Sequence, residues 1–326
     1  MFRFNICLSL VLLIFCNVYA HDFQKVDAYT RTVSKTEDYK IMAKRLTEPF
    51  PSQREKVRAL FVWITDNVRY DFEKYQNDLR TGGYTRIYGR NQKEIELKRQ
   101  KIKQEKIIKT YRTQKGVCED YSVLFEAMCI SVGIEAKTIT GYARFNPSDI
   151  GRLTRAVNHA WNSVKIDGAW YLLDATWAAG TTDLQTGIFT KKFQEGFFMT
   201  APELFIMNHF PEDSKWQLLP KVITFESFSN FPYLHDGYYD YKVIDYNPKT
   251  AFLQSEAQFS DIQLVFQDLV PEIFVFENGN MLNVKRSGSK NTVNLKIPLT
   301  GKTGKHIIIG VKNHNYFDPI IEYKIK

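Results

Sequence analysis

The chain has 326 residues, 44% of them apolar and 14% aromatic, with a formal charge of +8. That length suggests two domains once any targeting segment is set aside, and the apolar content suffices for well-packed cores. A disordered or fibrous chain is excluded, and no recognition motif accompanies the basic residues, so a nucleic-acid partner is not expected.

Arg3 precedes a nearly unbroken apolar run from Leu8 to Phe15, and Val18-Tyr19-Ala20 follows at the positions a signal peptidase reads. Residues 1–20 are therefore expected to be a signal peptide cleaved after Ala20, leaving a secreted or periplasmic chain of charge +7 once Arg3 is lost. A lipoprotein modified at Cys16 is the lesser alternative, because bulky Phe15 stands where a small residue belongs. The apolar run is shorter than the ~20 residues of a membrane span, and no other segment reaches that length, so no transmembrane segment is expected. Cleavage would remove Cys7 and Cys16 and leave Cys118 and Cys129. On one helix these two would stand roughly 16 Å apart, beyond disulfide reach. Cys129 then reads as a buried structural thiol, and Cys118 calls for another reason.

From Thr36 to Tyr70 the apolar spacing is helical, with a capping box expected at Ser52 and Glu55 ahead of Val57, Leu60, Phe61 and Ile64. Asp71 to Gly89 reads as a loop. Between Arg90 and Lys115 stand ten Lys or Arg and three Glu, a helix whose solvated face is basic. That run is a candidate for docking on an anionic cell-wall or surface polymer, although such runs are usually only solvated, here with Ile95, Ile102, Ile107, Ile108 and Tyr111 turned partly inward. A buried helix is predicted from Cys118 to Val132 and ends at Gly133. Ala136 to Ala143 reads as a strand. Asn158–Ile166 and Ala169–Trp177 read as a hairpin about Asp167-Gly168, and Pro202–Asn208 as a short helix. Past Pro220 come short β-branched runs, clearest at Ile262–Phe266, Ile273–Phe276, Val293–Ile297 and His306–Val311. The expected division is a catalytic domain over residues 21–220 and an all-β sandwich-like domain over residues 221–326.

A two-residue turn pairs Ile166 with Ala169, which sets His159 opposite Thr176 and Asp174 opposite Trp161. His159 and Asp174 then share one sheet face as diagonal neighbours, within ~7–8 Å at Cβ, where imidazole and carboxylate can meet. Cys118 opens the predicted helix, where free backbone N–H groups and the dipole favour thiolate. An imidazolium beside it would complete a nucleophilic ion pair, with the Cys118 N–H as an oxyanion donor. Trp63, Tyr70 and Gln114 are the candidates for a second donor. His209 reads as isolated from the hairpin and structural; Trp161, Trp170 and Trp177 read as core aromatics or as walls of a substrate groove. No Cys/His cluster has zinc spacing and no glycine-rich phosphate loop appears, so neither metal nor cofactor is expected.

Gly116-Val117-Cys118-Glu119-Asp120-Tyr121, Gly133-Ile134, His159-Ala160-Trp161-Asn162 and Trp170 through Trp177 resemble the core motifs of the transglutaminase-like superfamily. Trp63-Ile64 with Asn67 to Asp71, and Pro202-Glu203 through His209-Phe210-Pro211 and Trp216 to Leu219, resemble the branch of kyphoscoliosis peptidase and the yeast cytokinesis protein. Asp120 stands where that branch often has glycine. The resemblance places Cys118 on the family's nucleophile, His159 on its base and Asp174 on its orienting acid. It implies an α+β, papain-like core in which the nucleophile helix packs on an antiparallel sheet. It also implies acyl transfer on a protein or peptide substrate through a thioester. Hydrolysis, as by a protease or amidase, is preferred to transamidation because it needs no second substrate site. The alternative is a catalytically silent binding or scaffold module at the cell surface.

Overall fold

Side-chain caps set where the N-terminal helices begin. The structure, a computed structural model, describes residues 23–82, 87–152, 156–299, 303–313 and 316–326. The expected leader, with Cys16 and Ala20, lies outside the described residues. Helices α1 (Gln24–Thr32), α2 (Tyr39–Thr47) and α3 (Gln53–Asn67) open the fold. Asp38 caps α2 by accepting from Lys40 N at 2.7 Å. The expected capping box starts α3: Glu55 N donates to Ser52 Oγ at 3.2 Å, and Ser52 N to Glu55 Oε2 at 3.3 Å. Every residue of α3 from Val57 to Thr65 is buried, so it is the pillar of the first lobe. Its Arg58 reaches Asp27 of α1 at 2.8 Å and Glu195 at 2.6 Å, tying two distant stretches to that pillar.

The stretch Asp71–Gly89 is not simply a loop, since it contains α4 (Phe72–Thr81). Asp71 caps α4 through Lys74 N at 3.0 Å, and Gly82 ends it in the left-handed region at φ 80°. No residue of α4 is fully buried, and its apolar stripe is short: Phe72, Tyr75 and Leu79 at spacings of three and four. The basic run forms α5 (Gln92–Thr113), of which only Ile107, Thr110 and Tyr111 are buried. Its cations meet the protein's own carboxylates: Lys98–Glu94 at 2.8 Å, Lys103–Glu126 at 2.8 Å and Lys106–Glu119 at 2.6 Å. Helix α6 (Cys118–Ser131) follows, and Gly133 at φ 78° turns the chain out of it.

Strands β1 (Ala136–Ala143), β2 (His159–Ile166), β3 (Ala169–Leu173) and β4 (His209–Pro211) form an antiparallel sheet in the order β3-β2-β1-β4. Asp167 and Gly168 both have positive φ, 49° and 87°, as a two-residue hairpin of this twist requires. The pairing Ile166↔Ala169 is the expected one, but it ends at Asn162↔Leu173. Contrary to the expected strand, the chain leaves the sheet at Asp174, whose carboxylate caps α7 (Ala175–Ala179). Thr176 therefore does not face His159 across a ladder, because capping by Asp174 outcompetes continued strand pairing. Helix α6 packs on the sheet through Leu124, Phe125 and Val164 in one core with Phe61 and Trp63. Buried Glu126 adds polar anchors to that contact, accepting from Thr138 N at 3.1 Å and Lys103 Nζ at 2.8 Å. A helix opening with Cys118 and packed on an antiparallel sheet is the α+β arrangement that the sequence resemblance implied.

The remainder is sheet-rich, as expected. Strands β5 (Val243–Asn247), β6 (Phe259–Phe266), β7 (Ile273–Glu277), β8 (Lys285–Gly288), β9 (Thr292–Pro298), β10 (His306–Asn313) and β11 (Tyr316–Ile325) form two sheets. One has the order β5-β6-β9-β8, and the other contains β11-β10-β7. Ile262 and Leu295 from the first share a core with Val275, Ile309 and Tyr323 from the second, so the sheets face each other as a sandwich. The longest strand, β11, is absent from the sequence reading because Pro319 interrupts its pattern. In the fold Pro319 falls beside a register shift opposite Gly310, where a lost donor is tolerated.

The two lobes meet around one cation. Arg144, at the end of β1, is fully buried and donates to the carbonyls of Phe231 at 2.9 Å, Pro232 at 3.0 Å and Met207 at 3.3 Å. Phe225 and Phe228, beyond residue 220, pack back on Tyr142 and Phe210 of the first lobe at 4.9 and 5.3 Å. Removing the guanidinium would strand three buried carbonyls. Arg144→Met should therefore cost about 2–4 kcal/mol in urea unfolding. Lys165→Met, which removes a half-exposed ion pair with Glu135, should cost less than about 1 kcal/mol.

Candidate active site

Cys118 is half-buried as the first residue of α6, so its N–H has no acceptor within the helix. The chain before it is held in place by backbone geometry. Arg69–Tyr70 and Lys115–Gly116 form a two-residue parallel bridge, extended by Asp71 N to Gly116 O at 2.9 Å. Asp120 closes the turn by accepting Val117 N at 2.9 Å and pairing with Lys74 at 3.2 Å. A Cβ on Gly116 would come within 2.5 Å of Asp120 Cβ, so glycine is required there for the two to pack. Asp120 thus has a structural task in this chain. Tyr121 Oη, one turn along, donates to Val68 O at 2.7 Å and locks α6 to the end of α3.

His159 and Asp174 come together despite the broken strand. His159 Nε2 lies 2.7 Å from Asp174 Oδ2, and the residues are 4% and 0% exposed. Asp174 Oδ1 accepts from Thr176 N at 2.7 Å and Trp177 N at 3.1 Å, so the helix cap aims the other oxygen at the imidazole. Burial alone would lower the His159 pKa, but Asp174 and then the neighbouring Cys118 push it up to about 10. Burial would raise the Asp174 pKa, and His159 and then His209 hold it well below the usual carboxylate range instead. Nε2 is committed to Asp174, so Nδ1 is the nitrogen left for the thiol. A protonated imidazole between a carboxylate and a sulfur can stabilise thiolate and can deliver a proton.

The other expectations divide. Trp63 is a core residue stacked on Tyr111 at 5.5 Å, and Gln114 Nε2 is turned to Asn67 Oδ1 at 3.4 Å. Tyr70 lies beside Cys118: burial first, then that neighbour, pushes its phenol far above the ordinary range. Trp161 is buried core, and Trp170 packs on Trp216 at 5.0 Å. Trp177 walls the site, tilted against His159 at 5.3 Å, with half-exposed Phe145 on the same imidazole at 5.8 Å; buried Trp161 is tilted against it from the core at 6.1 Å. Cys129 is fully buried, and its thiol is pushed up by burial and then by Glu126, as suits a structural residue.

The reading of His209 needs correction. It is not isolated from the hairpin: its Nε2 lies 3.1 Å from Asp174 Oδ2, the same oxygen that His159 uses. Strand β4 brings it there by pairing with β1, Ala143 opposite His209. Gly141 permits the approach, since a Cβ there would meet Phe210 O at 2.2 Å and Trp161 at 2.5 Å. The residues lie in sequence-distant elements, and no local spacing signals their meeting. Ligand-capable atoms of His159, Asp174 and His209 all lie within 4.8 Å of one another. The two hydrogen bonds to Oδ2 account for that spacing without a metal.

Residues 80–175 match the family model described as the transglutaminase-like superfamily. The chain is 30% identical over 307 residues to kyphoscoliosis peptidase of Mus musculus, covering 93% of this chain and 43% of the relative. It is 22% identical over 230 residues to cytokinesis protein 3 of Schizosaccharomyces pombe, covering 68% of this chain and 23% of that one. The chain thus spans less than half the length of these curated relatives. Among solved structures it is similar to a TGase at 18% identity and TM-score 0.27, covering 50% of this chain and 35% of that one.

The pair of shifted groups dictates a pH signature. The depressed Asp174 value gives stability that is present above the unfolded value of about 3.9 and is lost as pH falls through the lower folded value. The raised His159 value gives stability that is present below about 6.5 and is lost as pH climbs toward about 10. The difference in urea midpoint between wild type and Asp174→Asn should therefore be widest from about pH 4 to 6.5 and shrink on both sides. A difference that instead stayed level from about pH 6.5 to 10 would mean that His159 is neutral in the fold.

Proposed function

Because the chain carries a domain of the transglutaminase-like superfamily, in the branch of kyphoscoliosis peptidase and cytokinesis protein 3, we propose that it is a cysteine-dependent acyl-transfer enzyme acting on peptide or glutamine carboxamide bonds. The observation that carries this reading is His159, buried, bonded through one nitrogen to Asp174 and left with the other for Cys118. The Cys118 thiolate attacks the carbonyl carbon. The Cys118 N–H, free at the helix start, faces the developing oxyanion, with Tyr70 as the second donor. His159 gives its proton to the departing amine, leaving a thioester on sulfur. Water, deprotonated by His159, then attacks the thioester and releases the acid. Asp174 stays ionised throughout and holds the imidazole in orientation.

Hydrolysis is the preferred outcome, since an amine acceptor would need a site of its own. Export with cleavage after Ala20 belongs to the same proposal. N-terminal sequencing of the protein recovered from the expressing cell's culture medium or periplasm should read from His21.

The deciding experiment measures Cys118 alkylation by mass spectrometry. With His159 protonated across the neutral range, wild type at about pH 6 should react at least about tenfold faster than His159→Ala, and the ratio should approach one near about pH 9. Peptide and glutamine substrates, with and without an added amine, then separate hydrolysis from transamidation. Equal rates at pH 6 would remove the enzyme reading in favour of a binding scaffold. Faster amine incorporation than hydrolysis would overturn only the preference for water.

A further inference from the structure

We propose that His209 is a positioning residue for the reactive pair: its imidazole donates an Nε2 proton to Asp174 Oδ2 and so sets how firmly that carboxylate holds His159. The inference deepens the acyl-transfer reading and rests on it. Two imidazoles share one carboxylate oxygen, at 2.7 and 3.1 Å, and their ring centroids are 5.4 Å apart. Both are buried, and two cations this close in a water-poor site oppose each other, so only one ring carries the charge. The surroundings decide which. His159 has Asp174 on one side and Cys118 on the other. His209 has aromatic faces: Phe205 stacked at 4.1 Å, Trp177 at 4.4 Å and Trp161 edge-on at 5.2 Å. Its buried Nδ1 makes no well-aligned hydrogen bond; the Phe205 carbonyl is the one group that favours a proton there, and it is outweighed by burial. Burial accordingly lowers the His209 pKa to about 4, against the opposing pull of Asp174.

A neutral ring bonded to a carboxylate through Nε2 must carry its proton there. His209 is thus a fourth donor to Asp174, after His159, Thr176 N and Trp177 N. The titratable groups that face this anion are His159, His209 and Tyr121 of α6, and the last is itself pinned to Val68 O. A carboxylate shared among four donors is less basic than one shared among three. It remains an anion yet leaves more of the imidazolium's charge to act on the sulfur. The stacked rings also hold the His209 plane, and through it the Asp174 carboxylate, against rotation.

The test uses the whole chain with 15N-labelled histidine. His209→Phe keeps the stacking and removes the donor; His209→Gln returns an N–H at a similar reach. In His209→Phe the His159 titration should move up by about 0.5–1 pH unit, and Cys118 alkylation at about pH 6 should slow about three- to tenfold. His209→Gln should restore both toward wild type, a rescue that a purely packing role would not produce. In wild type the 15N shifts should show His209 neutral, protonated on Nε2 and bare on Nδ1, at about pH 5.5. That readout needs no variant to fold, and a doubly protonated His209 overturns the proposal. Unchanged His159 titration and alkylation in His209→Phe overturns it too, while leaving the acyl-transfer reading standing. Wild type alkylated no faster than His159→Ala at pH 6 sinks both together.

Discussion

A single carboxylate, sealed from water, organises the first lobe. Asp174 is an anion at 0% exposure, a state that is tolerable only when every lone pair is met by a donor. One oxygen is met by the start of α7 and the other by two histidines from strands that never touch each other in sequence. The same group therefore ends a strand, starts a helix and joins β2 to β4. It also fixes the charge on His159, because a buried imidazolium persists only beside a buried anion. Local conformation and site electrostatics have one cause here.

The thiol is positioned by a different device, built almost wholly from backbone. The parallel bridge of Arg69–Tyr70 with Lys115–Gly116, the Asp120 carboxylate on Val117 N and the Tyr121 hydroxyl on Val68 O bracket Cys118 on three sides. None of these contacts touches the sulfur. They place the first residue of α6 against the sheet, where helix-start N–H groups and a neighbouring imidazolium act on the same atom. The second lobe supports this frame from behind. Arg144 leaves β1 two residues after Tyr142 and satisfies carbonyls of the connecting segment, while Phe145, next in sequence, rests on His159. Movement between the lobes would thus be felt at the imidazole within one residue.

Much of this was legible in the chain of letters because it rests on short-range rules. The Ser52 capping box, the helix from Cys118 to the turn at Gly133, the β1 span and the Asp167-Gly168 register follow from neighbours a few residues apart. Helix α4 had a readable signal in the Asp71 cap and in Phe72, Tyr75 and Leu79 at helical spacing, outweighed by its polar content, whereas β11 was hidden because Pro319 breaks its alternation. The hairpin inference brought His159 and Asp174 together by a route that is only half right. The register is as expected, but Asp174 lies one residue past the last ladder pair and reaches His159 from a helix cap. Local side-chain capping overrode the strand pattern, and proximity survived because the direction of the side chain was kept.

The sequence alone determined the lobe types, the helix on which Cys118 sits and the turn that returns Asp174 toward His159, since each depends on local propensity and periodicity. Only tertiary structure decided the rest: that Tyr70 rather than Trp63 or Gln114 adjoins the thiol, that Trp177 and Trp161 but not Trp170 pack on the imidazole, and that His209 completes the shell of Asp174. His209 stands 50 positions after His159, on a strand whose approach depends on the missing side chain of Gly141. Contacts of that kind arise from close packing of distant segments, and no period along the chain encodes them.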